Sequence, residues 1–211
     1  MQQDVKTPGR VRRTQAQRTS ATRAALLDAC AQTLATVGYA ATTTTTVAVR
    51  AGVSRGALQY TFQDRAEMML AVVGEGYRHM VDECRRGARA EGTTAERVAA
   101  HVAAMLRAYG SPSAIAAFEV LLGERGNPTF MDTHAELLRD AEGELDQLWL
   151  EHFSDSGSDA AALLTARRVA RAAVIGLVAR GFPLGPDEAT AAAIAPAVTA
   201  LIVTGGAVRG S

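Results

Sequence analysis

Apolar positions recur along most of the chain at intervals of three and four residues, the spacing that places side chains on one face of an α-helix. The first such segment begins at about Ser20, and Gly38 is positioned to end it, as glycine commonly does. Its apolar face consists of Leu27, Cys30, Leu34 and Val37. Sustained alternation of apolar and polar residues, the pattern of a strand, does not occur. The sequence therefore predicts an all-α fold.

Two short helices are predicted next. Within a run of five threonines, whose hydroxyls can accept the free N–H groups of a helix start, we place the N-cap at Thr43 and the helix over 44–51. Gly52 breaks this helix, and Ser54 caps another that extends to about Thr61. Together with the first helix they form a three-helix segment.

The rest of the chain is predicted to be helical as well. Asp64 caps a fourth helix that continues to about Arg89 and links the three-helix segment to the C-terminal part of the chain. The final helix carries Pro196, which we expect to kink or restart it. Five further helices, for a total of about nine, are expected at about 94–109, 112–123, 128–153, 159–181 and 187–204.

The charge is distributed unevenly along a chain whose total is zero. Residues 1–65 hold nine basic and three acidic side chains, a net charge of +6, and because the whole chain has 22 of each sign, residues 66–211 carry −6. Residues 1–17 have almost no apolar content and are expected to form a flexible basic arm. A basic N-terminal third on an acidic body indicates a polyanionic partner.

Cysteine usage and hydropathy disfavour secretion and membrane insertion. Cys30 and Cys84 show no CxxC spacing and no disulfide framework, which favours a reducing compartment. The basic N-terminus lacks the apolar run of a secretory signal, so we expect a cytoplasmic location. Residues 189–208 carry no charge, but their Ala and Thr content, Pro196 and the lack of Trp, Tyr or Lys at their ends favour a buried helix over a membrane span.

No catalytic or metal-binding motif is found in the structural context that it requires. A P-loop needs a lysine after glycine, whereas Lys6 in the arm is the only lysine of the chain. Residues 52–56 (GVSRG) match G-x-S-x-G, but they lie between two predicted helices, whereas a nucleophile elbow follows a strand. H-E-x-x-H does not occur, and the four histidines stand singly without a partner histidine four residues away. We therefore expect no catalytic residues, no metal and no cofactor.

Residues 44–62 have the steric pattern of a helix-turn-helix, in which two short helices cross closely. Ala48 supplies a small side chain where the helices approach, and Gly52 supplies the positive φ of the turn. Leu58 directs the apolar side of the second helix towards the first. A plain three-helix bundle with small residues at its crossings is the alternative.

The residues left on the outer side of the second helix suit a nucleic-acid interface. Short polar side chains and methyl groups at the start of such a helix can read base edges in the major groove. Thr44, Tyr60 and Arg65 are predicted at the margins, where hydroxyls and a guanidinium contact phosphates. The outer face is predicted to consist of Arg55, Gly56, Gln59, Tyr60 and Thr61.

The run from Arg18 to about Val72, with GYAATTTTTVAVRAGVSRGALQYTFQDRAEMM at its centre, resembles the DNA-binding domain of TetR-type one-component transcriptional regulators. The resemblance covers about a quarter of the chain. It implies a protein of nine or ten helices that dimerises through its last two and releases operator DNA when a small molecule enters the C-terminal core.

Several positions correspond to those of the family. Its usual histidine in the recognition helix is Thr61 here, its usual lysine at the start of helix four is Arg65, and both replacements keep a hydrogen-bond donor. The usual acid at position N3 of helix two is Thr46, so the capping box is expected to be missing. The resemblance implies DNA contacts from Thr44, Ser54, Arg55, Gly56, Ala57, Gln59, Tyr60, Thr61 and Arg65.

The resemblance divides the chain into the basic arm, a helix-turn-helix DNA-binding domain at 18–63 and a helical ligand-binding and dimerisation domain at 64–211. It implies a ligand pocket between helices four and eight. Trp149 is the favoured wall residue, because an indole is often buried where a polar partner is available. The candidates, each of which also suits a plain core position, are Tyr77, Met80, Met105, Tyr109, Phe118, Leu122, Trp149 and Phe153.

The last two helices are the expected dimer interface. A helix that is apolar all round must be covered, and a subunit of this size has little surface left to cover it. Burial within one subunit is the alternative. The apolar residues expected at the interface are Leu163, Val169, Ala173, Leu177, Ile194, Val198, Leu201 and Ile202.

The predicted function is that of a sequence-specific DNA-binding transcriptional regulator. As a homodimer it would bind a palindromic double-stranded operator as a repressor, and a small-molecule effector would release it. Two other classes remain: a helical dimer that binds small molecules or proteins with impaired DNA reading, and an all-helical enzyme, for which the sequence shows no acid–base pair. The sequence leaves open whether the regulator represses or activates, and what its effector is.

Overall fold

The computed structural model describes residues 14–88, 91–184 and 188–207, and within these ranges the chain forms nine α-helices and no strand. The predicted all-α fold is confirmed. None of the described helices is both long and apolar enough to cross a membrane. The helices are α1 (Gln15–Ala41), α2 (Thr44–Ala51), α3 (Arg55–Thr61), α4 (Arg65–Gly87), α5 (Thr94–Tyr109), α6 (Pro112–Glu124), α7 (Pro128–Phe153), α8 (Ala160–Leu184) and α9 (Glu188–Ala207).

Helix α1 begins at Gln15, five residues earlier than predicted. The Thr14 hydroxyl accepts a hydrogen bond from the Gln17 N–H, and the Gln17 side chain accepts one from the Thr14 N–H. This capping box satisfies two N–H groups of the helix start and accounts for the early beginning. Residues 15–17 of the predicted arm are therefore helical, and residues 1–13 lie outside the described part of the chain.

Helices α2 and α3 lie where the sequence predicted them, with Thr43 and Ser54 as N-caps. The expectation that α2 lacks a capping box is wrong. The Thr46 hydroxyl accepts the Thr43 N–H at 2.9 Å, and the Thr43 hydroxyl accepts the Thr46 N–H at 3.1 Å. A hydroxyl at N3 can thus replace the carboxylate that the family uses, because it also offers an oxygen acceptor to the cap residue.

Two apolar cores share α4. The first half of α4 packs with α1, α2 and α3 in an N-terminal core, which also contains Ala116 and Val120 of α6 and Phe130 of α7. The second half packs with α5, α7, α8 and α9 in a C-terminal core, to which α6 contributes Ala114. Helix α6 therefore contacts both cores, and it forms part of the packing around the first three helices.

Helix α9 continues through Pro196 as one helix, so the predicted restart does not occur. Its Ile194, Val198 and Ile202 are buried in the C-terminal core.

Cys30 and Cys84 are free thiols, each buried in a different core.

Candidate nucleic-acid interface and internal cavity

The turn between α2 and α3 is held by short-range bonds. Gly52 has a φ of 66°, in the left-handed region that glycine enters without a steric penalty. The Val53 N–H donates to the Ala48 carbonyl at 3.1 Å. The Ser54 hydroxyl then accepts the Ala57 N–H at 3.1 Å and starts α3. These bonds fix the direction in which α3 leaves the turn.

One side of α3 is buried and the other is open. Leu58, together with Phe62 just beyond the helix, packs in the N-terminal core. On the outer side Tyr60 is 82% exposed. The other exposed residues predicted to contact DNA are Ser54, Arg55, Gly56 and Gln59, whereas Thr44, Ala57 and Thr61 are half-buried.

The Thr61 hydroxyl is already used as a donor within α3. It donates to the Ala57 carbonyl at 2.8 Å. In the absence of DNA the Thr61 hydroxyl is therefore already used as a donor, and its contact with DNA stays a prediction. The polar outer groups of α3 that remain unengaged are those of Arg55, Gln59 and Tyr60, for which no side-chain bond within the described residues is seen.

Arg65, predicted to contact phosphate, forms several bonds within the protein. Its guanidinium donates to the Thr42 carbonyl at 3.1 Å, to the Tyr39 carbonyl at 3.0 Å and to the Tyr39 hydroxyl at 2.6 Å. It also lies over the Tyr39 ring, 4.1 Å from the centroid. Three of the five guanidinium N–H groups are thus committed to joining the start of α4 to the end of α1.

The same tyrosine continues this connection to α6. The Tyr39 hydroxyl donates to Glu124, which is 9% exposed and lies 3.7 Å from the Arg65 guanidinium. Burial, followed by the bond to Glu124, raises the pKa of Tyr39, so its hydroxyl keeps the proton that it donates. Gly123 allows this approach, because a Cβ at that position would overlap the Tyr39 ring. We refer to Arg65, Tyr39 and Glu124 as the junction triad.

A cavity of about 190 Å³ lies between α4, α5, α6, α7 and α8. Four of the eight predicted pocket residues line it: Tyr77, Met80, Tyr109 and Phe118. Much of the remaining wall is aliphatic, including Ile115, Leu121, Leu138, Ile175 and Val178.

The other four pocket candidates lie elsewhere. Met105, Trp149 and Phe153 are buried in the C-terminal core, and Leu122 is 46% exposed on α6. The polar partner expected for Trp149 is missing, since neither its Nε1 nor His101 Nε2 has a hydrogen-bond partner among the described residues. Trp149 instead packs against the rings of His101 and Phe153.

The polar groups of the cavity come from three helices. The Tyr77 hydroxyl of α4 and Nε2 of His134 in α7 share a hydrogen bond of 2.5 Å. Arg171 of α8 donates from Nε to the Tyr109 hydroxyl at 3.3 Å and pairs with Glu142 at 2.8 Å. Burial raises the pKa of both tyrosines and lowers the pKa of His134.

Two of these polar residues, His134 and Arg171, were missed because the sequence argument selected large apolar side chains. His134 bonds to Tyr77, which lies 57 residues earlier in the chain, and no local pattern signals such a pairing. Among the described residues, no three His, Cys, Asp or Glu side chains meet as a metal site requires.

The predicted dimer residues divide by exposure. Four are buried in the C-terminal core of the same chain, which α8 and α9 form together with α5 and α7: Leu163, Ile194, Val198 and Ile202. The others are exposed or half-buried: Val169, Ala173, Leu177 and Leu201. Val203, which the sequence argument did not select, is 60% exposed.

Comparison with known proteins finds a sequence match in the N-terminal region of the chain. The sequence model of the bacterial regulatory proteins of the tetR family matches residues 26–72, which span the second part of α1 with its buried residues, α2, α3 and the first part of α4. None of the curated protein sequences compared with the chain matches it.

Solved structures resemble the chain over most of its length. The fatty acid degradation regulator FadR from Bacillus halodurans matches with a TM-score of 0.63 and 18% identity, covering 87% of this chain and 95% of that one. FadR from Bacillus subtilis in complex with stearoyl-CoA matches with a TM-score of 0.62 and 16% identity, covering 86% and 98%. A transcriptional regulator from Rhodococcus sp. Rha1 matches with a TM-score of 0.65 and 20% identity, covering 87% and 96%.

At these identities the structural matches show a shared fold. The sequence match is confined to the N-terminal region, where the helix-turn-helix lies. The helix-turn-helix region of this chain is therefore similar in sequence to the tetR family of bacterial regulatory proteins, and the chain shares its overall fold with these solved structures.

Proposed function

We propose that the protein is a DNA-binding transcriptional regulator that represses its target and is released by a small-molecule effector. The observation that carries the proposal is the open face of α3, with Arg55, Gln59 and Tyr60 exposed on a capped helix-turn-helix inside the family match. These side chains offer the donors and acceptors that distinguish base pairs in the major groove. Phosphate contacts come from the N-terminal end of α2, where Thr44 lies, and from the arm.

A homodimer is part of the proposal. On α8 and α9, Val169 is 45% exposed, Leu201 39% and Val203 60%, and the exposed positions between them are mostly Ala, Gly and Thr. Small side chains allow two helices to approach closely, and an apolar surface of this kind is stabilised when a second copy covers it. The dimer would place two α3 helices in successive major grooves, about 34–36 Å apart, on a palindromic operator.

We propose the cavity between α4, α5, α6, α7 and α8 as the effector site. One face of α6 packs Ala116 and Val120 into the N-terminal core, while Phe118 and Leu121 line the cavity. The junction triad fastens the end of the same helix to α1 and α4. A ligand that binds more tightly to one position of α6 than to another would bias the orientation of the DNA-binding helices. That a protein of this fold was crystallised with stearoyl-CoA supports a small-molecule effector.

Footprinting on the DNA upstream of the gene, across a salt series, tests the proposal. We expect wild-type protein to protect a palindrome of roughly 15–30 base pairs, the length that two half-sites about one helical turn apart require. The double variant Gln59→Ala, Tyr60→Ala should lose the footprint and keep its thermal unfolding temperature. Thr133→Ala, an exposed uncharged change on α7, is the matched control.

Two results would contradict the proposal. A footprint that survives the double variant would mean that α3 does not read the sequence. Weak, salt-sensitive binding without a protected palindrome would favour the alternative of a small-molecule or protein-binding helical dimer. A promoter fused to a reporter gene then separates repression, in which deletion of the gene raises expression, from activation.

A further inference from the structure

We propose that the cavity takes an uncharged, largely apolar molecule with a hydrogen-bond-accepting oxygen, such as an ester, a ketone or an alcohol, and that it excludes carboxylates and amines. The inference rests on the proposed function, because it names the chemical class of the effector for the same cavity. It follows from the charge balance of the wall and from one hydroxyl without an acceptor.

Among the described residues that line the cavity, Arg171 is the one charged side chain. Its charge is already balanced, because its Nε lies 2.8 Å from a carboxylate oxygen of Glu142. Glu142 also pairs with Arg167 at 2.5 Å, and Arg167 pairs with Asp146. Two guanidiniums and two carboxylates therefore cancel, and the described part of the wall offers no free counter-charge to an ionic ligand.

The remaining polar groups of the wall are neutral. Burial raises the pKa of Tyr77 and of Tyr109, so both keep their protons at neutral pH. Burial lowers the pKa of His134, which shares its hydrogen bond with Tyr77 in the uncharged form. An ion placed in this cavity would lose its hydration and gain no opposite charge, whereas a neutral molecule of the same shape would not suffer that loss.

The hydroxyl of Tyr109 defines the polar group of the ligand. Its oxygen accepts the bond from Arg171, and its hydrogen has no acceptor among the described residues. A buried donor without an acceptor is unfavourable, and a ligand that supplies the acceptor removes that penalty. A carbonyl, ester or alcohol oxygen does so without bringing a charge.

The test uses two trios of probes that share an apolar body and differ in charge. One trio is methyl octanoate, octanoate and octylammonium, and the other is methyl naphthoate, naphthoate and naphthylmethylammonium. Binding to the full-length protein is measured by isothermal titration calorimetry at neutral pH. In at least one trio we expect the ester to bind roughly tenfold or more tightly than both ions.

Two variants test whether the ester binds in this cavity and whether the charge balance of Arg171 determines the preference for the ester. Ile175→Trp fills the cavity and should abolish binding of the ester. Glu142→Gln leaves Arg171 without its carboxylate, while Arg167 keeps Asp146, so the ratio of carboxylate to ester affinity should rise about tenfold. Glu136→Gln, the same chemical change at an exposed position of α7, should leave that ratio unchanged.

Three outcomes would overturn the inference: an ion that binds wild-type protein as tightly as its ester, the failure of all six probes to bind, or ester binding that survives Ile175→Trp. The wild-type comparison decides the matter even if Glu142→Gln does not fold. The operator footprint of the ligand-free protein is independent of these measurements, so failure of the ligand class and failure of the DNA-binding proposal are distinguishable.

Discussion

The junction triad should contribute measurably to stability, and Tyr39→Phe is the sharpest perturbation of it. The change removes one hydroxyl and retains the ring under the Arg65 guanidinium. It breaks two hydrogen bonds to charged partners, the one donated to Glu124 and the one accepted from Arg65. It also leaves the buried Glu124 carboxylate with fewer partners, since the remaining ones are Asn127 Nδ2 at 3.1 Å and the more distant Arg65.

The size of the effect follows from these contacts. A hydrogen bond to a charged group contributes about 1.5–3 kcal/mol to stability. The Arg65 side chain is 34% exposed, so water can replace part of one bond, and we expect Tyr39→Phe to lower the free energy of unfolding by about 2 kcal/mol. Tyr60→Phe removes the same atom from a side chain that is 82% exposed, and it should cost less than about 0.5 kcal/mol.

Urea unfolding followed by circular dichroism measures both changes. A double-mutant cycle with Glu124→Gln then isolates the interaction between Tyr39 and Glu124, for which we expect a coupling energy of about 1 kcal/mol or more. If the single changes add up to the double change within about 0.5 kcal/mol, or if Tyr39→Phe costs no more than Tyr60→Phe, the hydroxyl does not join the two helices in solution.

Three further predictions concern the turn, a buried histidine and the arm. Gly52→Ala should destabilise the protein by about 1 kcal/mol through backbone strain alone, because φ at this position is 66° and an added Cβ would meet no atom within 4 Å. Gly143→Ala inside α7 should instead stabilise the protein by up to about 1 kcal/mol, since alanine favours the helical backbone. Thermal unfolding compares the two variants, and equal effects would contradict the argument from backbone conformation. Burial and then the charge of His152 lower the pKa of His101 from 6.5 to about 4, so the unfolded chain binds the proton more readily and stability should fall by about 3 kcal/mol as the pH drops from 6.5 to 4. In urea unfolding at several pH values His101→Phe should flatten that decline and the control His79→Gln should not; an unchanged slope in His101→Phe would refute the assignment. Deletion of residues 1–13 should weaken operator binding and reduce its salt dependence, as gel shifts at increasing salt would record, and an unchanged slope would exclude phosphate contacts by the arm.

Local signals in the sequence were sufficient for the helix-turn-helix. Gly52 and Ser54 define the turn through bonds that span no more than five residues, so their effect can be predicted from neighbouring positions. The capping box at Thr46 was mispredicted for a local reason as well: a carboxylate was assumed to be necessary where a hydroxyl is sufficient.

Long-range packing explains what the sequence did not reveal. The contacts of Arg65 within the protein could not be predicted, because its partners Tyr39 and Glu124 lie 26 and 59 residues away and no periodicity connects the three. Likewise four predicted dimer residues are turned inward, because a helix with apolar residues on all sides does not reveal which side its own chain covers. Of the residues that line the cavity, the sequence argument identified only Tyr77, Met80, Tyr109 and Phe118.

The position of α6 between the two cores has a consequence for protein engineering. Chimeric sensors are built by joining the DNA-binding part of one regulator to the ligand-binding part of another. A cut after α3 or within α4 would remove Ala116 and Val120 from the packing around α1 and would leave Tyr39 without Glu124. A functional hybrid of this protein must therefore keep α6 with its own DNA-binding helices, or redesign the surface of α6 to match the helices it receives.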